Sequence, residues 1–125
     1  MRVGIKHIEF WVSDLKKSMA FYEKLFEIIG WKKVKFNSFK SGETKIYFKE
    51  VNVLKRDSLG PRHICFHAKN REDINNLGEF LRKGNFKLIR GPVEMTGKLY
   101  SKGYYTIDFY DPDMYILEVA YAPKK

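Results

Sequence analysis

The sequence predicts an α+β fold made of two βαβββ modules in tandem, and three features predict it. "GIKHIEF" at residues 4–10 recurs as "GPRHICF" at residues 60–66, with glycine, a basic residue, His-Ile and Phe in the same frame. Each copy is followed by a helix-like segment with a capping residue. Each of those segments is followed by strand-like runs separated by turn signals. A chain of 125 residues suits one domain, 1–125, with module 1 at about residues 1–56 and module 2 at about 60–125.

The elements follow in order. Residues 3–12, "VGIKHIEFWV", alternate and are rich in β-formers, so they read as a strand. Ile8, Phe10 and Val12 share one face; Ile5, His7, Glu9 and Trp11 share the other. "SDLKKSMAFYEKLFEIIG" reads as a helix capped by Ser13 or Asp14 and ended by Gly30. Its apolar stripe is Leu15, Met19, Tyr22, Phe26 and Ile29. "WKKVKFNSFK" and "TKIYFKEV" are strand-like runs joined across "SGE", with room for a third strand if residues 31–39 split in two.

The second module repeats the plan. Residues 62–69, "RHICFHAK", form a strand. "NREDINNLGEFLRKG" is a helix capped by Asn70, with Ile74, Leu77 and Leu81 on its stripe and Gly84 at its end. "FKLIRG", "YYTIDFY" and "YILEVAY" are strands, and "DPDM" is the turn between the last two. The connection at residues 91–103, with glycine at both ends, reads equally as a surface loop and as a lid over a cavity.

Composition narrows the class. The chain is 44% hydrophobic and 16% aromatic, which excludes a disordered protein. It holds no apolar run near the roughly 20 residues of a membrane span. The N-terminal stretch lacks the pattern of a signal peptide, and one cysteine, Cys65, precludes an internal disulfide; both point to the cytoplasm. The net charge of +9 suits either nucleic acid or small anionic molecules. The lysines are spread along the chain, which reads as a solvated surface. No helix has a basic face with base-reading residues, so neither nucleic acid nor a membrane is expected as a partner.

Alternation also sorts the residues that carry chemistry. With Ile64, Phe66 and Ala68 packed on the helix, His63, Cys65 and His67 face the other way. With Leu117, Val119 and Tyr121 on the helix side, Glu118 also faces away, as His7 does. If each sheet curls, that side is a concave interior. A buried carboxylate needs a partner, and two imidazoles with one carboxylate form a ligand set for a divalent transition metal. The plainer alternative leaves each histidine a satisfied strand residue and lets Glu118 reach solvent. Tyr104, Thr106 and Asp108 fall on the same face, where Asp108 is placed to orient His7 or His63. Cys65 reads as a small core residue.

The tandem plan, with "HIEFWVSDLKKSMAFYEKLF", "HICFHA" and "YYTIDFYDPDMYILEV", closely resembles the vicinal oxygen chelate superfamily over essentially the whole chain. That superfamily includes glyoxalase I, extradiol dioxygenases, fosfomycin-resistance proteins and bleomycin-binding proteins. The resemblance implies a curved, partly open β-barrel with helices outside and a divalent metal ion (Fe, Mn, Zn or Ni) held by His7, His63 and Glu118. It implies a metal-dependent lyase, isomerase or dioxygenase acting on a small molecule chelated through vicinal oxygens, and a homodimer. The alternative is a non-enzymatic protein that sequesters a bleomycin-like drug. The family usually has Gly after D-P-D, where this chain has Met114.

Glyoxalase-type members carry a fourth ligand, a Glu on the last strand of the first module. Aligning "KIYFK" with "ILEVA" places Tyr47 at the position of Glu118 and Glu50 on the other face. A one-residue slip would bring Phe48 to the site with Glu50 beside it. In the first register Tyr47 is a hydrogen-bond donor to substrate. His67 is either a base near the substrate or a residue lining the pocket.

Overall fold

The computed structural model describes residues 4–52 and 63–123. The element order is β1 (His7–Val12), α1 (Leu15–Ile29), β2 (Lys32–Lys35), β3 (Ser38–Ser41), β4 (Thr44–Glu50), β5 (Ile64–His67), α2 (Arg71–Lys83), β6 (Leu88–Glu94), β7 (Tyr105–Tyr110) and β8 (Ile116–Tyr121). The chain divides into two compact units, Met1–Leu59 and Gly60–Lys125. Each unit has one helix and one four-stranded mixed sheet, ordered β1-β4-β3-β2 in the first and β5-β8-β7-β6 in the second.

In the first unit β1 runs parallel to β4, and the rest of the sheet is antiparallel. Residues 31–39 do split, with a turn at Phe36 and Asn37 separating β2 from β3. Helix α1 starts where the Asp14 side chain accepts from the Lys17 amide at 3.1 Å, satisfying one of the amides the first turn leaves unpaired. It ends at Gly30, whose φ of 92° suits a residue without a Cβ. Its buried stripe, including Met19, Tyr22, Phe26 and Ile29, packs on Phe10, Phe39, Ile46 and Phe48. The Tyr22 and Phe48 rings lie 4.3 Å apart between centroids. Leu15 at the helix start is only half-buried.

The second unit follows the same plan with β5 parallel to β8. Gly60 and Arg62 of the repeated motif lie outside the described residues. Ile74, Leu77 and Leu81 of α2 are fully buried with Ile107, Phe109, Leu117 and Val119. The Asn70 side chain caps α2 by accepting from the Asp73 amide at 2.8 Å. Gly84 ends it with a φ of −86°, so the left-handed turn falls on Asn85, at φ 57°.

Strand β6 is longer than its sequence suggests. It continues through Gly91 and Pro92 to Glu94, which shortens the expected loop. Pro92 reads as a breaker, but irregularities in the β6–β7 ladder between Leu88 and Val93 accommodate it. Gly91 is required there: a Cβ would stand 2.4 Å from the Thr106 carbonyl oxygen. The β7–β8 turn carries Met114 at φ 69°, a left-handed position that explains why glycine is the expected residue. Asp111, 2% exposed, holds that turn by accepting from the Asp113 and Tyr115 amides, each at 2.8 Å.

Candidate functional site

Cross-strand register places the functional side chains. In the first unit Glu9 pairs with Tyr47, and in the second Cys65 pairs with Glu118. Glu9 and Cys65 each lie two residues after the histidine of the repeated motif. Tyr47 therefore occupies in its sheet the position that Glu118 occupies in the other. Glu50 lies on the helix side, where its Oε1 accepts from the Leu15 amide at 2.9 Å and completes the capping of α1.

Glu118 is the centre of the second unit's site. It is 8% exposed and stands in the middle of β8. The buried Thr106 hydroxyl donates to Oε2 at 2.6 Å, and the Tyr104 hydroxyl donates to the same oxygen at 2.8 Å. The other oxygen, Oε1, lies 3.0 Å from His63 Nε2. Burial alone would raise the carboxyl pKa, but the two hydroxyls and His63 outweigh it and hold the group below the usual carboxylate range. Conversely, Tyr104 is pushed above its ordinary value by burial and by its bond to Glu118.

This chemistry suits a cation. With Oε2 occupied by two donors, Oε1 is left to pair with the imidazole. His63 Nε2 and Glu118 Oε1 stand side by side, an imidazole nitrogen and a carboxylate oxygen of the kind that hold a divalent cation. The ligand residues implied by the resemblance are divided between the units, with His7 in the first and His63 and Glu118 in the second. Among the described residues no group of three or more His, Cys, Asp and Glu side chains forms a cation cage.

His63 and Glu118 open into a cavity of about 380 Å³ that is also lined by Arg90, Tyr100, Tyr104 and Asp108. Asp108 does not hydrogen-bond either histidine, as the sequence suggested; it takes the Arg90 guanidinium at 2.7 Å, because Arg90 is its cross-strand partner. Its carboxyl is raised nonetheless, by burial and by the nearby Glu118 charge, despite the Arg90 cation. Cys65 is not a core residue but an exposed one. Although the residue as a whole is exposed, its sulfur is partly covered beside Glu118, and that desolvation together with the Glu118 charge pushes the thiol up to about 12, so it is not a thiolate. His67 stands exposed at the end of β5 opposite Ala120, outside the residues that line the cavity.

In the first unit His7 and Tyr47 line a second cavity, of about 360 Å³. Their ring centroids are 5.5 Å apart. The Tyr47 hydroxyl is raised above its ordinary pKa by burial and by its hydrogen bond to Glu9, so it keeps its proton. Glu9 also accepts from Trp11 Nε1 at 2.7 Å.

The family model described as Glyoxalase/Bleomycin resistance protein/Dioxygenase superfamily matches residues 4–119. The chain belongs to this superfamily. A candidate glyoxalase from Bacillus halodurans is similar in structure at a TM-score of 0.76, with 22% identity over 94% of this chain and 95% of that one. A glyoxalase/dioxygenase from Nostoc punctiforme is similar at 0.72, with 16% identity over 97% and 92%. A genomically encoded fosfomycin resistance protein from Listeria monocytogenes is similar at 0.67, with 21% identity over 100% and 95%. At these identities the likenesses establish the fold. No curated protein matches the chain significantly in sequence.

In this member of the superfamily, sequence reasoning placed Tyr104 and Thr106 on the correct face but did not join them to Glu118. It missed Arg90, whose only signal was its place in the alternation of "FKLIRG". No described helix is long and apolar enough to cross a membrane.

Proposed function

We propose that the chain is a metal-dependent enzyme of the glyoxalase or dioxygenase type, acting on a small molecule held to a divalent cation through neighbouring oxygens. His7, His63 and Glu118 are the ligands in this reading. The observation that carries it is the pairing of His63 Nε2 with Glu118 Oε1 at 3.0 Å while two hydroxyls hold Oε2. When bound, an Fe, Mn, Zn or Ni ion supplies Lewis acidity toward the substrate oxygens.

The chain's own residues do the rest. Tyr104 and Thr106 fix the Glu118 carboxylate in one orientation and keep it ionised. Tyr47 retains its proton and turns its hydroxyl from Glu9 to a substrate oxygen. His67, on the same strand face as His63, is the base that takes a proton from the substrate in this reading. A cytoplasmic homodimer that covers the sheet edges completes the reading.

The test is equilibrium dialysis of tag-free protein against Mn²⁺, Fe²⁺, Ni²⁺ and Zn²⁺. One equivalent bound per chain, lost in His7→Ala, His63→Ala and Glu118→Gln, supports it. Protein that binds none of these ions but sequesters a bleomycin-like drug belongs to the non-enzymatic alternative.

A further inference from the structure

The first unit's sheet carries a row of like charges on the face away from α1. The register runs His7 to Lys45 to Lys40 to Lys32 across all four strands. The next row runs Glu9 to Tyr47 to Ser38 to Lys35. These lysines are far apart in sequence, and only the strand register brings them side by side. Neighbouring strands lie about 4.8 Å apart, so Lys45, Lys40 and Lys32 span roughly 10 Å.

Like charges directly opposite one another destabilise a sheet. An edge strand gains protection from lysine, which accounts for Lys32 and Lys35 on β2. It does not account for Lys40 and Lys45, which stand on the inner strands β3 and β4. Among the described residues none of Lys35, Lys40 and Lys45 meets a carboxylate, whereas Lys33, on the helix side, pairs with Glu23. Lys35 and Lys45 line the cavity of about 360 Å³ that holds His7 and Tyr47, with Lys6 beside them and Glu43 as its one acidic residue. Ser38 and Asn37 add polar side chains to the wall.

We propose that this lysine face is a binding site for a small molecule bearing phosphate or carboxylate oxyanions. Oxyanions neutralise the row and offset the repulsion that the bare face carries. Because the site adjoins His7, this deepens the functional reading above and rests on it for one point only: that the anion belongs to the enzyme's substrate.

The experiment is calorimetric titration of the full chain, freed of divalent metal, with inorganic pyrophosphate and separately with citrate. Saturable binding of either at one site per chain is expected, weakening with added salt. Lys40→Gln and Lys45→Gln should each weaken it roughly 10- to 100-fold, the loss of about one charge-assisted contact. Lys33→Gln removes the same charge from the helix side and should leave it unchanged; circular dichroism checks that every variant is folded. Pyrophosphate binding with no citrate binding assigns the phosphate source, and the reverse assigns the carboxylate.

The proposal is overturned by no saturable binding of either anion, or by equal weakening by Lys33→Gln. Tighter binding of a single-stranded oligonucleotide through the same lysines also overturns it. Glu118→Gln separates the two readings. It should bind the anion as the parent does. A protein that binds metal but no anion loses only this proposal, and one that binds anion but no metal loses only the metal-centre reading.

Discussion

Thr106→Val removes the shortest hydrogen bond to Glu118 while nearly preserving side-chain shape. Thr106 is fully buried, and its hydroxyl sits 2.6 Å from Glu118 Oε2 and 3.2 Å from the Val119 carbonyl. One hydroxyl proton serves one strong bond, and the ionised carboxylate takes it. A hydrogen bond to a charged group is worth about 1.5–3 kcal/mol and a neutral one about 1 kcal/mol. Glu118 has a folded pKa below its unfolded value. Its stabilisation is therefore complete above the unfolded pKa and is lost as pH falls through the folded one. Thr106→Val should cost about 2 kcal/mol in urea unfolding at pH 7. The cost should shrink to about 1 kcal/mol or less at a pH below the folded pKa of Glu118, where the carboxyl is protonated. The same loss at both pH values would mean that the hydroxyl serves packing, and the account of Glu118 would fail. In the metal-binding reading, the variant should also weaken cation affinity by roughly 10- to 100-fold.

Other consequences are equally direct. Tyr47→Phe should leave metal affinity nearly unchanged and lower catalytic efficiency about 10- to 100-fold, the loss of one hydrogen bond to substrate; equal loss of metal in Tyr47→Phe and Glu118→Gln would contradict this. Met114→Gly should stabilise the protein by about 0.5–1 kcal/mol in chemical denaturation, because Met114 is half exposed and held at φ 69°. Gly91→Ala should destabilise it by at least about 2 kcal/mol, since its Cβ would press on the Thr106 carbonyl and its φ of 93° suits only glycine. A Gly91→Ala protein as stable as the parent would show that β6 shifts freely against β7.

Much of the plan was legible because alternation and capping are local. Asp14 and Asn70 sit where the helix periodicity begins, and the apolar partners of His7, His63 and Glu118 mark the helix-facing side of each strand. The repeat also set Tyr47 against Glu118, since two parallel strand pairs with the same register need only the motif to align them. What remained hidden depends on pairing between distant residues. Tyr104 and Thr106 reach Glu118 only through the β7–β8 register, which a turn held by the buried Asp111 side chain sets. The Arg90–Asp108 pair depends on the β6–β7 register, which shifts on either side of Arg90. The lysine row is invisible in the chain because Lys32, Lys40 and Lys45 become neighbours only across three strands.

The most direct measurement is a crystal structure of the tag-free protein grown with the cation it binds most tightly in dialysis. The account predicts one ion about 2.0–2.2 Å from the imidazoles of His7 and His63 and from Glu118 Oε1. Tyr104 and Thr106 should still donate to Oε2, and Tyr47 should stand clear of the ion. An ion bound elsewhere, or a His63–Glu118 hydrogen bond left intact at saturating metal, would contradict it.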